Sequence, residues 1–121
     1  MAVKTFSETV SKGLRAGDIM GAWRLASGDT AQPLICPRYS DKCVHIFGTW
    51  GGASVTMKGG NDASLIQFDD MYDPADVTIT QTAARKPWII FPNVYALKPV
   101  ITGGDGTTDL TIAIVGRGHA Q

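Results

Sequence analysis

Apolar and polar positions alternate with period two through most of this chain, which predicts strands rather than helices. The pattern is clearest between Val44 and Phe68, where Ala53, Val55 and Met57 fall on one side and Ser54, Thr56 and Lys58 on the other. Gly59, Gly60, Asn61 and Asp62 follow. These residues reach positive φ at low cost or bond their own backbone, so the stretch predicts a β-hairpin whose return strand is Leu65 to Phe68. A second hairpin is predicted from Tyr95 to Val100, through the turn Thr102 to Thr107, into Leu110 to Val115. Trp23 and Leu25 flank Arg24 as in a first or edge strand, Val77 to Thr80 alternates, and the apolar run Trp88 to Phe91 is closed by Pro87 and Pro92.

Short strands separated by Gly, Pro and Asp turns, with no sustained helical period, predict an all-β antiparallel β-sandwich, jelly-roll-like, of roughly seven to nine strands. Its inward residues are expected to be Val44, Ile46, Val55, Met57, Ile66, Phe68, Ile79, Ile89, Leu110, Ile112 and Ile114. Residues 1–20 do not share the alternation: charged and small residues mix there, and Gly13 and Gly17 interrupt any helix. Val3, Phe6, Val10 and Leu14 have no evident place in a sandwich, so this segment reads as an extended N-terminal arm that orders on a neighbour. Trp23, just beyond it, joins those four as the expected partner contact. Residues 21–121 form the single body, with Gly116 to Gln121 as a polar tail outside the core.

Composition narrows the functional classes. With 121 residues the chain has the size of one domain, and eleven basic against eleven acidic side chains leave a net charge of zero, without the basic surplus of a general nucleic-acid binder. Hydrophobic residues make up 44% and charged residues only 18%, a balance that favours self-association or a place in an assembly over a concentrated free monomer. No apolar run is long enough for a membrane span and the N-terminus has no signal-peptide core, so folding in a cytosol is expected.

Catalytic constellations are missing. The two histidines are His45, in an apolar strand and read as a core or interface residue, and His119, in the polar tail; neither has a sequence-evident partner. The glycine-rich runs 48–52 and 103–106 lack the Gly-Lys-Ser/Thr ending of a phosphate loop. Asp69, Asp70, Asp73 and Asp76 crowd one loop, but their spacing is not that of an EF-hand, and a solvated loop with Asx turns is preferred to calcium. Cys36 and Cys43 read as reduced structural thiols, with a disulfide as the alternative. The expectation is therefore a protein that is not an enzyme, with no catalytic, cofactor-binding or metal-binding residues.

The residues Ser40 to Lys42, Val44 to Thr56, Gly60 to Asp62 and Tyr95 to Thr108 resemble small virion proteins of tailed bacteriophages, over about residues 20 to 115. Such sequences usually carry Gly-Ser-Asn-Asp where this chain has Gly59 to Asp62, and Arg-Pro where it has Lys98-Pro99. The resemblance implies a head decoration or cement protein on the capsid surface, assembled in the host cytoplasm. Its implied partners are the major capsid protein and further copies of itself, a homotrimer among the forms, with no nucleic acid and no membrane. A tail or connector component is an alternative. The strand, turn and aromatic also resemble part of the galactose-binding jelly-roll sandwiches, with Phe68 where a tryptophan is expected, which implies carbohydrate as an alternative partner.

Overall fold

The computed structural model describes residues 2–8, 17–37, 39–83, 87–90 and 92–118. Their strands are Val3–Lys4 (β1), Ser7–Glu8 (β2), Ile19–Ala26 (β3), Thr30–Ala31 (β4), Leu34–Ile35 (β5), Tyr39–Thr49 (β6), Ala53–Gly60 (β7), Asp69–Asp70 (β8), Thr80–Gln81 (β9), Trp88–Ile89 (β10), Ala96–Gly103 (β11) and Asp109–Gly118 (β12). No helix occurs among the described residues. One antiparallel sheet runs β10-β6-β12-β3-β2 and the other β5-β11-β7-β8, with β9 also paired to β7. The two pack face to face as an antiparallel β-sandwich. Its interior holds Trp23, Leu25, Val44, Ile46, Val55, Met57, Ile79, Leu97, Leu110, Ile112 and Ile114. Each such side chain contributes about 1.5–3 kcal/mol of transfer free energy when fully buried.

The second predicted hairpin is not a hairpin. β11 pairs with β7 while β12 pairs with β6 and β3, so the glycine turn after Gly103 carries the chain from one sheet to the other. The connection from β6 to β7 through Trp50, Gly51 and Gly52 makes the same passage beside it. A two-stranded ribbon, β6-β7 against β11-β12, is thus folded over on itself, the defining move of a jelly roll. Gly51 and Gly52 take φ of 57° and 84°, left-handed values that a β-branched residue resists.

The two turns are bonded to each other. Thr108, 4% exposed, donates its hydroxyl to the Trp50 carbonyl at 2.9 Å and accepts from the Asp105 N–H at 3.0 Å. The turn after β3 joins them, the Ser27 hydroxyl donating to the Gly103 carbonyl at 3.0 Å.

The first hairpin also departs from expectation. β7 continues through Gly59 and Gly60 to pair with β8, and residues 61–68 form a loop. The Asp62 carboxylate accepts from the N–H groups of Ser64, Ile66 and Gln67, which offers the backbone a local alternative to a ladder. A Cβ at Gly60 would collide with the Gln67 carbonyl oxygen, so the strand needs glycine for close approach rather than for a turn. Ile66, expected inside, is 74% exposed, and Phe68 is only half-buried beneath the Lys98 ammonium, 4.6 Å from its ring centroid. Ile89 is a phase error: Trp88 pairs with inward Val44, so Trp88 and Ile90 face the core and Ile89 is 53% exposed. Gly116 to Gly118 belong to β12, not to a tail, and pair with Ile19, Ser40 and Tyr39; residues 119–121 lie outside the described residues.

Candidate interaction surface

The outer face of the β10-β6-β12-β3-β2 sheet is built by the residues out of phase with the core. In register across four strands stand Ile89, Cys43, Val115 and Met20, an unbroken apolar row. Ile89 and Val115 are 53% and 40% exposed, with Cys43 and Met20 half-buried between and beside them. The next row holds His45, Ala113, Ala22 and Ser7, and the third Phe47, Thr111 and Arg24. His45 is exposed and tilts against Phe47 with centroids 5.1 Å apart, so it belongs to this surface and not to the core. Charge appears only at the margins, where Arg24 forms a two-pronged pair with Asp109 (Nε to Oδ1 2.8 Å, Nη2 to Oδ2 2.6 Å) and Arg117 stands at the far end of β12. No described element lies over this face.

The sequence-predicted contact residues fall elsewhere. Trp23 is fully enclosed, its Nε1 donating to the Gln32 carbonyl at 2.8 Å, and it presents no surface to a partner. Phe6 is half-buried edge-on to the Trp23 indole at 4.8 Å between centroids. This part of the arm lies on its own body because Trp23 supplies an apolar seat and strand edges supply backbone partners. Thr30 and Gln32 donate to the carbonyls of Ala2 and Lys4, and Ser7 and Glu8 pair with Ala22 and Gly21. Val3 is 70% exposed. Val10 and Leu14 lie outside the described residues. The arm also ends sooner than expected, since Ile19 and Met20 already belong to β3.

Elsewhere the carboxylates of the acidic loop are committed to structure. In the acidic loop Asp73 accepts from the N–H groups of Ala75 and Val77 and from the Trp88 indole at 2.8 Å, and Asp70 sits 3.4 Å from Lys58. Among the described residues no three His, Cys, Asp or Glu side chains converge as metal ligands. Cys36 and Cys43 are unpaired, and burial pushes both thiols above their ordinary pKa.

Sequence reasoning missed Lys42, which is completely buried. Its ammonium donates to the Tyr39 carbonyl at 2.9 Å and to Asn93 Oδ1 at 3.1 Å, closing the end of the sandwich where β6 begins. Burial pulls its pKa below the ordinary 10.5, partly offset by Cys36 and Asp41. The signal was present in the sequence: Lys42 is in phase with Val44 and Ile46. The members of the apolar row were visible singly, as apolar residues on the polar phase of their strands, but their adjacency needs the register.

No family model, characterised protein or solved structure matches this chain.

Proposed function

We propose that this protein is a non-enzymatic structural component that docks on a larger protein assembly through the outer face of its β10-β6-β12-β3-β2 sheet. The observation that carries the reading is the row Ile89, Cys43, Val115 and Met20, apolar across four strands with no described element over it. On the sequence resemblance, the assembly is the virion of a tailed bacteriophage, and the role is decoration of the head over junctions of the major capsid protein. The face measures roughly 15 Å by 15 Å from strand spacing and rise, well below the ~800 Å² per partner of a stable two-body complex. One copy therefore holds weakly. Many copies across seams add buried apolar area that must be exposed before the shell opens, which stabilises the shell by mass action. The alternative sugar platform would need exposed aromatics and polar side chains gathered at one loop end, and of the three candidate tryptophans Trp23 and Trp88 are buried and Trp50 is half-buried.

The test is peptide mass spectrometry of purified virions, followed by a Met20→Lys, Val115→Lys variant. The expected result is many copies on heads and an occupancy at least tenfold lower in the variant, with its β-rich circular dichroism retained. Absence from virions would remove the phage reading, and normal occupancy of the variant would remove the face.

A further inference from the structure

A groove of about 550 Å³ opens beside the outer face, between the edge of β3 and the arm, with Lys4, Thr5, Ser7, Arg24 and Asp109 among its walls. It lies where a sheet edge is left open. Among the described residues β2 pairs with β3 at Gly21 and Ala22. At the other end, Ala26 turns its N–H to the Asp29 carboxylate (2.9 Å) and its carbonyl to the Asp29 N–H (3.1 Å), away from β12. Main-chain groups along a strand repeat their direction every second residue. Arg24 therefore turns its N–H and C=O the same way as Ala26, into the groove. The arm does not reach them, because the Ala2 and Lys4 carbonyls accept from Thr30 and Gln32 instead.

Three of the other sheet edges are protected, while β9, Thr80–Gln81, is not. β10 lies between Pro87 and Pro92, β5 between Pro33 and Pro37, and β8 is a pair of exposed aspartates. Proline and charge are the ordinary means of keeping an edge from adding a strand. The Arg24 edge carries no proline, its guanidinium is drawn into the pair with Asp109, and it is recessed in a groove.

The charges around it are unequal in what they leave free. Asp29 already accepts from the N–H groups of Ala26 and Ala2, and its side chain is only 8% exposed. Lys4 lies 3.9 Å from it, a long contact, and is 45% exposed. Arg24 commits two N–H groups to Asp109 and keeps the other three of its guanidinium. The four charges sum to zero, but taken together the cations are the more exposed, Arg24 at 76% and Lys4 at 45% against Asp109 at 48% and Asp29 at 8%, which favours a negative group in the groove.

We propose that this groove seats an extended segment of a partner protein by strand addition, one residue of the segment exchanging both main-chain hydrogen bonds with Arg24 and carrying an Asp or Glu side chain toward Arg24 and Lys4. A single rung gives weak binding, in keeping with an attachment that works through many copies. The inference deepens the docking function proposed above by naming what the partner presents, and it is tested on the free protein, so its failure leaves the outer face standing.

The probe is a capped pentapeptide, valine and threonine alternating about a central glutamate, titrated into ¹⁵N-labelled protein. The Arg24 amide is expected to exchange rapidly with solvent in the free protein and to shift on saturable, millimolar binding. Methylating the central peptide nitrogen, or replacing its glutamate with lysine, is expected to weaken binding at least tenfold. A slowly exchanging Arg24 amide in dilute free protein, equal binding of the methylated peptide, or no saturable binding would each overturn the proposal. So would protection of that amide that rises with protein concentration alone, which would give the groove to a second copy of this chain.

Discussion

The two ends of the sandwich are closed by opposite means. Where β6 passes into β7 and β11 into β12, the closure is backbone on backbone: glycine turns at left-handed φ, stitched by the Thr108 and Ser27 hydroxyls. Apart from the Asp105 carboxylate, which accepts from the Thr107 N–H and hydroxyl, the bonded groups there are neutral and find their partners locally. At the other end one long side chain spans the gap, and its charged group is held away from water by the Tyr39 carbonyl and Asn93. The first arrangement tolerates no added volume. The second tolerates a change of side chain but depends on protonation.

Substitutions should separate the two. Gly51→Val should cost the most, about 2 kcal/mol or more, because the residue sits at φ 57° and a Cβ would lie 2.7 Å from Thr108 Oγ1; urea unfolding that matches the parent protein would show that the turn is not rigid. Thr108→Val keeps the shape but strands the Asp105 N–H and the Trp50 carbonyl, at about 1–3 kcal/mol. A shift of the unfolding midpoint too small to measure would mean that water replaces the hydroxyl.

At the other end Lys42→Met should be neutral or stabilising by about 1 kcal/mol at pH 7, since it removes a buried charge while filling the space. Destabilisation there would show that the amine's two hydrogen bonds outweigh its desolvation.

The smallest effect is the sharpest. The folded-state pKa of Lys42 lies below its ordinary 10.5, so between those two values the unfolded chain binds more protons and this residue's contribution to stability rises with pH. Below the folded value its full penalty is present. The advantage of Lys42→Met over the parent should therefore shrink as pH climbs toward 10.5, and a difference independent of pH would mean that the folded amine titrates at its ordinary value, without the shift that burial imposes.

Alternation revealed the strands and most of the core, because one buried face imposes period two wherever it occurs: Val55 and Met57, or Ile112 and Ile114, had only one way to point. It did not reveal which sheet each strand joins. A glycine turn after Gly103 serves a hairpin and a passage between sheets equally well, and the choice is made by β6 and β7, far away in the chain. The loop at 61–68 was misread because Leu65 to Phe68 carries strand-forming side chains while Asp62 captures the backbone. Of the expected contact residues, Trp23 and Phe6 were apolar because they pack on one another. The surface row escaped notice because its members, 43 and 115 among them, adjoin only once the register is known.

The folded-over ribbon also dictates an order of events during synthesis. Ile46 on β6 faces Ile112 on β12, and the other neighbour of β6 is β10, so every strand that covers β6 is made long after it. At about 5–20 residues per second the nascent chain waits roughly 3–13 s between translating Ile46 and translating Ile112. During that interval Val44, Ile46 and Phe47 stand on an unpaired strand in a crowded cell. Contacts this distant in sequence also place refolding in the millisecond-to-second range, where bimolecular capture competes with closure. Yield on expression should thus depend more steeply on temperature and rate of synthesis than the stability of the finished sandwich would suggest.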